Sequence, residues 1–151
     1  MSSEYVRDQF ELYVSGLYPG KSVGDIAAQS DLLEDFLDDN GISIDSNWLA
    51  LQFLPADERP ISVMSNNSVG CYREEGSVFI HVVNPIKKTA RDEILAVAEN
   101  LRNNLRGKRI NNDIVIQSVT PPNFESGGTL QFEGGFTSAS VVVNYYRDFS
   151  L

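Results

Sequence analysis

The stretch that decides the fold spans residues 76–119 and opens with Gly76-Ser77-Val78-Phe79-Ile80-His81-Val82-Val83. β-Branched and aromatic residues dominate this opening run, a composition typical of a β-strand. The dipeptide Asn84-Pro85 follows, and proline has no N–H to donate to a strand ladder. The sequence therefore predicts a strand over residues 76–83.

A long helix is predicted directly behind this strand, over residues 89–106. Apolar residues recur along it at spacings of three and four, which places them on one face. Thr89 with Asp92 has the pattern of a capping box in which aspartate replaces glutamate. Gly107 stands where a glycine commonly ends a helix. Start, face and end signals thus agree on one central helix.

Weaker patterns predict the other elements. We expect an N-terminal helix ending near Ser15, a helical segment within Val23–Asp39 capped by Ser22 and Asp25, and a strand from Trp48 with one apolar face. The composition of Pro55–Pro60 and Glu74–Gly76 indicates turns or loops. Further strands are predicted at Ile61–Val63, Val69–Tyr72, Asp113–Val119 and Ala139–Tyr146, with a hairpin arm at Leu130–Phe132.

This order of elements favours an α+β fold. We expect a mixed, mainly antiparallel sheet, packed by the N-terminal helix and the long central helix. The strands before and after the central helix are candidates for parallel neighbours joined by a right-handed crossover. A length of 151 residues, with no internal repeat, predicts a single domain over residues 1–151.

The composition restricts the classes of function. The formal net charge is −9, which argues against a free-standing nucleic-acid-binding protein but allows DNA to pass by without being gripped. No apolar stretch has the length of a membrane span, and the first twenty residues lack a signal-peptide pattern. We therefore expect no membrane association and a protein made in the cytoplasm.

No motif for chemistry emerges. The run from Gly16 to Ser22 has three residues between its glycines where a phosphate-binding loop has four. The acids of residues 31–39 lack the spacing of a calcium loop. Cys71 and His81 are the only cysteine and histidine, and a Cys–His pair would require them to meet in space. We predict no catalytic residue, metal or cofactor.

Two groups of residues are candidates for subunit or partner contacts. Basic residues are concentrated at the end of the central helix, where they either complement the helix dipole or contact an acidic neighbour. Phenylalanines in the glycine-rich region exceed what an ordinary surface needs. The predicted contact residues are Arg102, Arg106, Lys108, Arg109, Phe124, Phe132 and Phe136.

The layout resembles the tail-terminator, or tail-completion, proteins of long-tailed bacteriophages. The resemblance is carried by an N-terminal helix, the strand Trp48–Pro55, the glycine-led strand Gly76–Val83 with its following helix, a strand from Asn112-Asp113, and a final valine- and tyrosine-rich strand. It implies an α+β structural protein without enzymatic activity. It also implies a hexameric ring that caps the tail tube and joins the tail to the head–neck connector or stopper protein.

The same resemblance implies a place in the virion tail and neck, with assembly in the host cytoplasm and DNA crossing the lumen without specific binding. Three alternatives remain open. The chain is similar in size to other phage neck components, such as stopper or head-completion proteins. A small thiol hydrolase or ligand-binding domain would use Cys71 and His81. A stand-alone protein-binding module would stay monomeric.

Overall fold

The computed structural model describes residues 4–18, 22–25, 48–60, 71–85, 89–124 and 136–150. These ranges contain two helices and one sheet of seven strands, so the fold is α+β, as predicted. The helices are α1 (Glu4–Leu17) and α2 (Ala90–Leu105), and the strands are β1 (Ser22–Asp25), β2 (Trp48–Phe53), β3 (Asp57–Pro60), β4 (Cys71–Pro85), β5 (Arg109–Ile110), β6 (Ile114–Val119) and β7 (Phe136–Ser150).

The strands are ordered β1-β2-β4-β7-β6-β5, and β3 also pairs with β4. Only β1 and β2 are parallel, and every other pair is antiparallel, which confirms the predicted mixed, mainly antiparallel sheet. β7 lies between β4 and β6. β4 and β6 therefore run in the same direction but are not neighbours, so the predicted crossover does not join adjacent parallel strands.

β4 and β7 form a ladder of fifteen residue pairs, from Cys71 opposite Ser150 to Pro85 opposite Phe136. At about 3.4 Å per residue this ladder is roughly 50 Å long. It corrects the prediction of a turn at Glu74–Gly76, because β4 continues through these residues. Acidic residues and a glycine resemble a turn in sequence, but here they serve contacts with β7.

Both helices pack on one face of the sheet. Alternate residues of β4 and β7 point to this face, and they form one buried cluster with apolar residues of the helices. The cluster includes Val78, Ile80, Val82, Val141, Val143 and Tyr145 from the two strands, and Phe10, Ile94, Ala98 and Leu101 from the helices. The core thus lies between the sheet and a layer of two helices.

The opposite face of the sheet is also buried at its centre. Trp48, Ala50 and His81 are at most 1% exposed there, while Leu49 and Leu51 are buried on the helix side. The leucine side of β2 is the apolar face that the alternation predicted, and the opposite side of this strand is buried as well.

Two tyrosine side chains, one within α1 and one directly after it, show how α1 is oriented relative to α2. The Tyr13 hydroxyl donates to the backbone oxygen of Asn104 at 3.1 Å, and the Tyr18 hydroxyl donates to that of Val97 at 3.2 Å. Because Tyr13 is near the end of α2 and Tyr18 near its middle, the two helices are antiparallel. Burial raises the pKa of Tyr18 to about 12.

Two local predictions are wrong. Ser22–Asp25 forms β1, in parallel register with β2, rather than capping a helix, and the rest of the predicted helix to Asp39 lies outside the described residues. Pro55–Pro60 contains β3, an exposed strand that resembles a loop in sequence because it is charged and ends in proline. Ile61–Val63, the first two residues of Val69–Tyr72, and Leu130–Phe132 also lie outside the described residues.

The start of α2 differs from the predicted capping box. Thr89 has φ −100° and ψ 2°, and its side chain makes no capping hydrogen bond. Its hydroxyl instead donates to Oε1 of Glu93 at 3.3 Å, and the other carboxylate oxygen, Oε2, accepts from the side chain of Asn84 at 3.2 Å. The end of β4 is thereby tied to the first turn of α2. Neither of the two described helices is long and apolar enough to cross a membrane.

Candidate functional site

The end of α2 places three basic side chains on one corner of the protein. Arg106 ends the helix, and its N–H donates to the backbone oxygen of Arg102 at 2.9 Å. Gly107 follows with φ +72°, a left-handed conformation that glycine adopts without steric cost. The chain then turns directly into β5. Arg106, Lys108 and Arg109 are all exposed at this corner, and we refer to them as the basic corner.

Arg102, predicted with these three residues, has a different environment. Its side chain is half-buried, and Nε donates to the backbone oxygen of Val119 at 3.2 Å. This bond joins α2 to the end of β6 within one chain. The structure therefore gives Arg102 a role in holding the fold, and the basic corner consists of the other three residues.

The basic corner differs from the other described cations because its side chains contact no ring or carboxylate among the residues that the structure describes. Each of the other described arginines outside the α2 end lies against an aromatic ring or a carboxylate. These contacts join Arg7 to Phe53, Arg59 to Glu75, Arg73 to Asp148, Arg91 to Phe124, and Arg147 to Glu74 and Tyr5. Three neighbouring cations without such a contact indicate a surface available to an acidic partner.

The predicted aromatic contact residues are only partly described. Phe124 is half-buried against the core, and the Arg91 guanidinium lies 4.4 Å from its ring centre. It therefore contributes to packing within its own chain. Phe132 lies outside the described residues, and Phe136 is described only as the first backbone position of β7. Of the three predicted phenylalanines, only Phe124 has a described side chain, and it packs within its own chain.

Helix α1 exposes a second surface. The side chain of Leu12 is 67% exposed. No other large hydrophobic residue in the described part of the chain is classed as exposed. Together with Asp8, Glu11 and Ser15, Leu12 lines an open cleft of about 360 Å³. A single exposed apolar side chain is common on protein surfaces, so Leu12 alone does not define a contact surface. The spacing of α1 agrees with this exposure, because Leu12 falls on the face opposite the buried Val6, Phe10 and Val14.

Cys71 and His81 do not meet. They occupy the same strand, β4, ten positions apart, so their α-carbons are about 33 Å from each other. A Cys–His pair within one chain is therefore excluded by the backbone. Among the described residues, moreover, no group of three or more histidine, cysteine, aspartate or glutamate side chains is placed to hold a metal ion.

His81 instead belongs to a buried polar network that crosses three strands. Its Nδ1 lies 2.6 Å from the Ser140 hydroxyl, and its Nε2 lies 3.0 Å from Oε1 of Gln52. A neutral ring with its proton on Nε2 satisfies both contacts, since it accepts from Ser140 and donates to Gln52. Burial lowers the pKa of His81 to about 4, which keeps the ring neutral at pH 7. All three side chains are buried, so this network fixes strand register.

A second buried polar cluster lies beneath the start of α1. Glu74 is fully buried, and its Oε2 accepts a hydrogen bond from the Tyr145 hydroxyl at 2.9 Å. Its other oxygen lies 3.6 Å from Nη2 of Arg147, whose guanidinium stacks over the rings of Tyr5 and Phe149. Because the sequence around Glu74 resembles a turn, this cluster was not predictable from local pattern.

Comparisons with known proteins establish the fold. No family model matches the sequence, and no curated protein matches it. Eight chains of solved structures match. One of these, a protein whose name describes no function, matches with a TM-score of 0.54 and 18% identity, over 99% of this chain and 97% of its own. This chain is therefore similar in fold, over nearly its full length, to a protein of known structure.

Proposed function

We propose that the protein is a structural subunit of a phage tail, a tail terminator that assembles into a closed hexameric ring. In this role the ring caps the tail tube and joins it to the head–neck connector or stopper protein. The subunit belongs to the tail and neck of the virion and assembles in the host cytoplasm. The proposal combines the resemblance in element order with the exposed surfaces of the structure.

The observation that carries the proposal is the basic corner. The basic corner is exposed, and among the described residues no ring or carboxylate contacts Arg106, Lys108 or Arg109. The net charge of the chain is nevertheless −9. Local basic charge on an acidic protein complements other copies of the same protein. Since ring formation needs two different complementary patches on each subunit, an acidic chain with one basic corner is suited to it.

Two further features support a structural role. The β4–β7 ladder joins these two strands over fifteen residue pairs, which gives the subunit one extended scaffold. The exposed Leu12 of α1 offers an apolar contact for the tube or connector protein. The acidic net charge also supports passage of DNA through the lumen without specific binding, because gripping DNA requires basic side chains facing its phosphates.

The alternatives differ in their partners or in their chemistry. Another neck component would also self-associate, but it would bind the connector and leave the tube free. The thiol-enzyme alternative depended on Cys71 approaching His81, and the distance along β4 removes that basis. Replacing Cys71 by serine should accordingly leave assembly unchanged. A protein-binding module would remain monomeric.

The test is the mass and shape of the purified protein. We expect light scattering after size exclusion to give one multiple of the 16.8 kDa chain, and negative-stain images to show rings with a central hole. Mixing the rings with tube protein of the same phage should leave a ring on one tube end and stop elongation. A protein that stays monomeric up to about 100 µM would overturn the proposal. Rings that bind only the connector would favour the other neck components.

A further inference from the structure

In one row of residues that pair across neighbouring strands, the two edges of the sheet carry opposite charges. The strand register places Arg109 of β5 opposite Val115, Val115 opposite Tyr146, Tyr146 opposite Glu75, and Glu75 opposite Asp57 of β3. These five residues form one row across the sheet, with a base at one edge and an acid at the other. In the next row, Ile110 and Glu58 occupy the two edges.

The acidic edge has unbalanced charge within its own chain. β3 pairs like charges with like, because Asp57 faces Glu75, Glu58 faces Glu74 and Arg59 faces Arg73. Like charges directly opposite each other destabilise a ladder. Arg59 binds Glu75 at 2.8 Å, whereas no ion pair within the described residues involves Asp57 or Glu58. Both of these acids are exposed.

The two edges cannot neutralise each other within one subunit. Four strand spacings separate Asp57 from Arg109, which amounts to about 19 Å at roughly 4.8 Å per spacing. This separation exceeds twice the screening length of about 8 Å at physiological salt. Within the described residues, the acids of β3 and the basic corner are therefore both left without a neutralising partner.

We infer that β3 of one copy contacts the basic corner of the next copy, and that this contact closes the ring. The patches lie on opposite edges of one sheet, and in an edge-to-edge contact a two-fold axis would pair each edge with its own equivalent, base with base or acid with acid. Head-to-tail repetition satisfies both in every subunit and closes when the rotation allows. The inference rests on the proposed function, since it names the surfaces by which the proposed ring forms.

Charge exchange between the edges tests this inference. Variant Asp57→Lys/Glu58→Lys has two basic edges, and variant Lys108→Glu/Arg109→Glu has two acidic edges. We expect each variant alone to assemble about a hundredfold more weakly than the unmodified protein, because like charges then face each other. An equimolar mixture should recover rings in which the two variants alternate. Recovery by mixing cannot result from misfolding of either variant.

A matched control addresses net charge. Variant Asp92→Lys/Glu99→Lys changes the net charge as much as Asp57→Lys/Glu58→Lys does, but at exposed positions of α2, and it should assemble like the unmodified protein. Rings that form normally from both edge variants would overturn the inference while leaving the proposed ring intact. The edge charges would then serve only to prevent unwanted strand pairing. An unmodified protein that never assembles would overturn both.

Discussion

Gly76 lies directly opposite Tyr145 in the β4–β7 ladder, and the tyrosine ring covers the glycine. A β-carbon at position 76 would lie 2.5 Å from the Tyr145 hydroxyl oxygen and within 3 Å of two ring carbons. That hydroxyl donates to buried Glu74, and Phe10 packs edge-on against the same ring with 5.4 Å between centroids. Gly76 is thus the position that allows Tyr145 into the core.

We predict that Gly76→Ala destabilises the protein by roughly 1–3 kcal/mol, because the Tyr145 ring must leave its place and its bond to Glu74. The free energy of unfolding in urea provides the measurement. Gly16→Ala is the matched control, since Gly16 lies in α1 with no atom within 4 Å of an added β-carbon. That control should be stabilised by about 0.5–1 kcal/mol. Equal effects at the two sites would contradict the role assigned to Gly76.

The buried His81 predicts a pH dependence of stability. Its pKa in the folded protein is about 4, below the ordinary value of 6.5, so the unfolded chain binds the proton more readily. The contribution of neutral His81 to the free energy of unfolding is fully present above about pH 6.5. It decreases by about 3 kcal/mol in total as the pH falls to about 4. Unfolding free energies at several pH values should decline more steeply for the unmodified protein than for His81→Gln. Parallel curves would show that His81 titrates normally.

The Glu74–Arg147 pair predicts non-additive substitutions. Arg147→Met should cost roughly 3–5 kcal/mol, because it leaves the fully buried carboxylate of Glu74 without its cation. Glu74→Gln/Arg147→Met should cost less than Arg147→Met alone, since no buried charge then remains. A double-mutant cycle of unfolding free energies measures the coupling. Additive costs would mean that the two groups do not interact in the folded protein.

The left-handed turn after α2 gives a graded prediction at Gly107. Its φ is +72°, and an added β-carbon would meet no atom within 4 Å, so any cost of substitution comes from the backbone alone. Gly107→Ala should destabilise by about 1 kcal/mol and Gly107→Asn by less, because asparagine tolerates this conformation better. Thermal unfolding distinguishes the two. If alanine and asparagine were equivalent, the conformation of Gly107 would not limit stability.

Those parts of the fold with strong local signals were predictable from the sequence. Helix α2 has apolar periodicity, and Gly107 adopts the left-handed conformation expected at its end. The long strand before it was only half recognised, because Glu74 and Gly76 resemble a turn unless Tyr145 is known to lie opposite. Nothing local reveals such a partner, since it is separated from Gly76 by most of the second half of the chain.

Of the two charged surfaces, one was predictable from the sequence and the other was not. The basic corner was visible in the sequence, because its residues are close together in the chain. The acidic edge was not, since the charges and proline of Asp57–Pro60 equally suit a loop, and only strand pairing makes them an edge. The turn at Asn111 and Asn112, with φ values of 53° and 64°, was also missed. Asparagine tolerates these values, and this turn joins β5 to β6.

The position of β7 also determines when the protein can fold during synthesis. β4 and β6 each pair with β7 and not with each other. The β4 side and the β6 side of the sheet therefore cannot join until residues 136–150 are available. A nascent chain that has left the ribosome only as far as β6 has two unpaired strand edges, one on β4 and one on β6. Such edges bind chaperones or other chains readily. The sheet of the described residues therefore becomes continuous only after β7 has been synthesised.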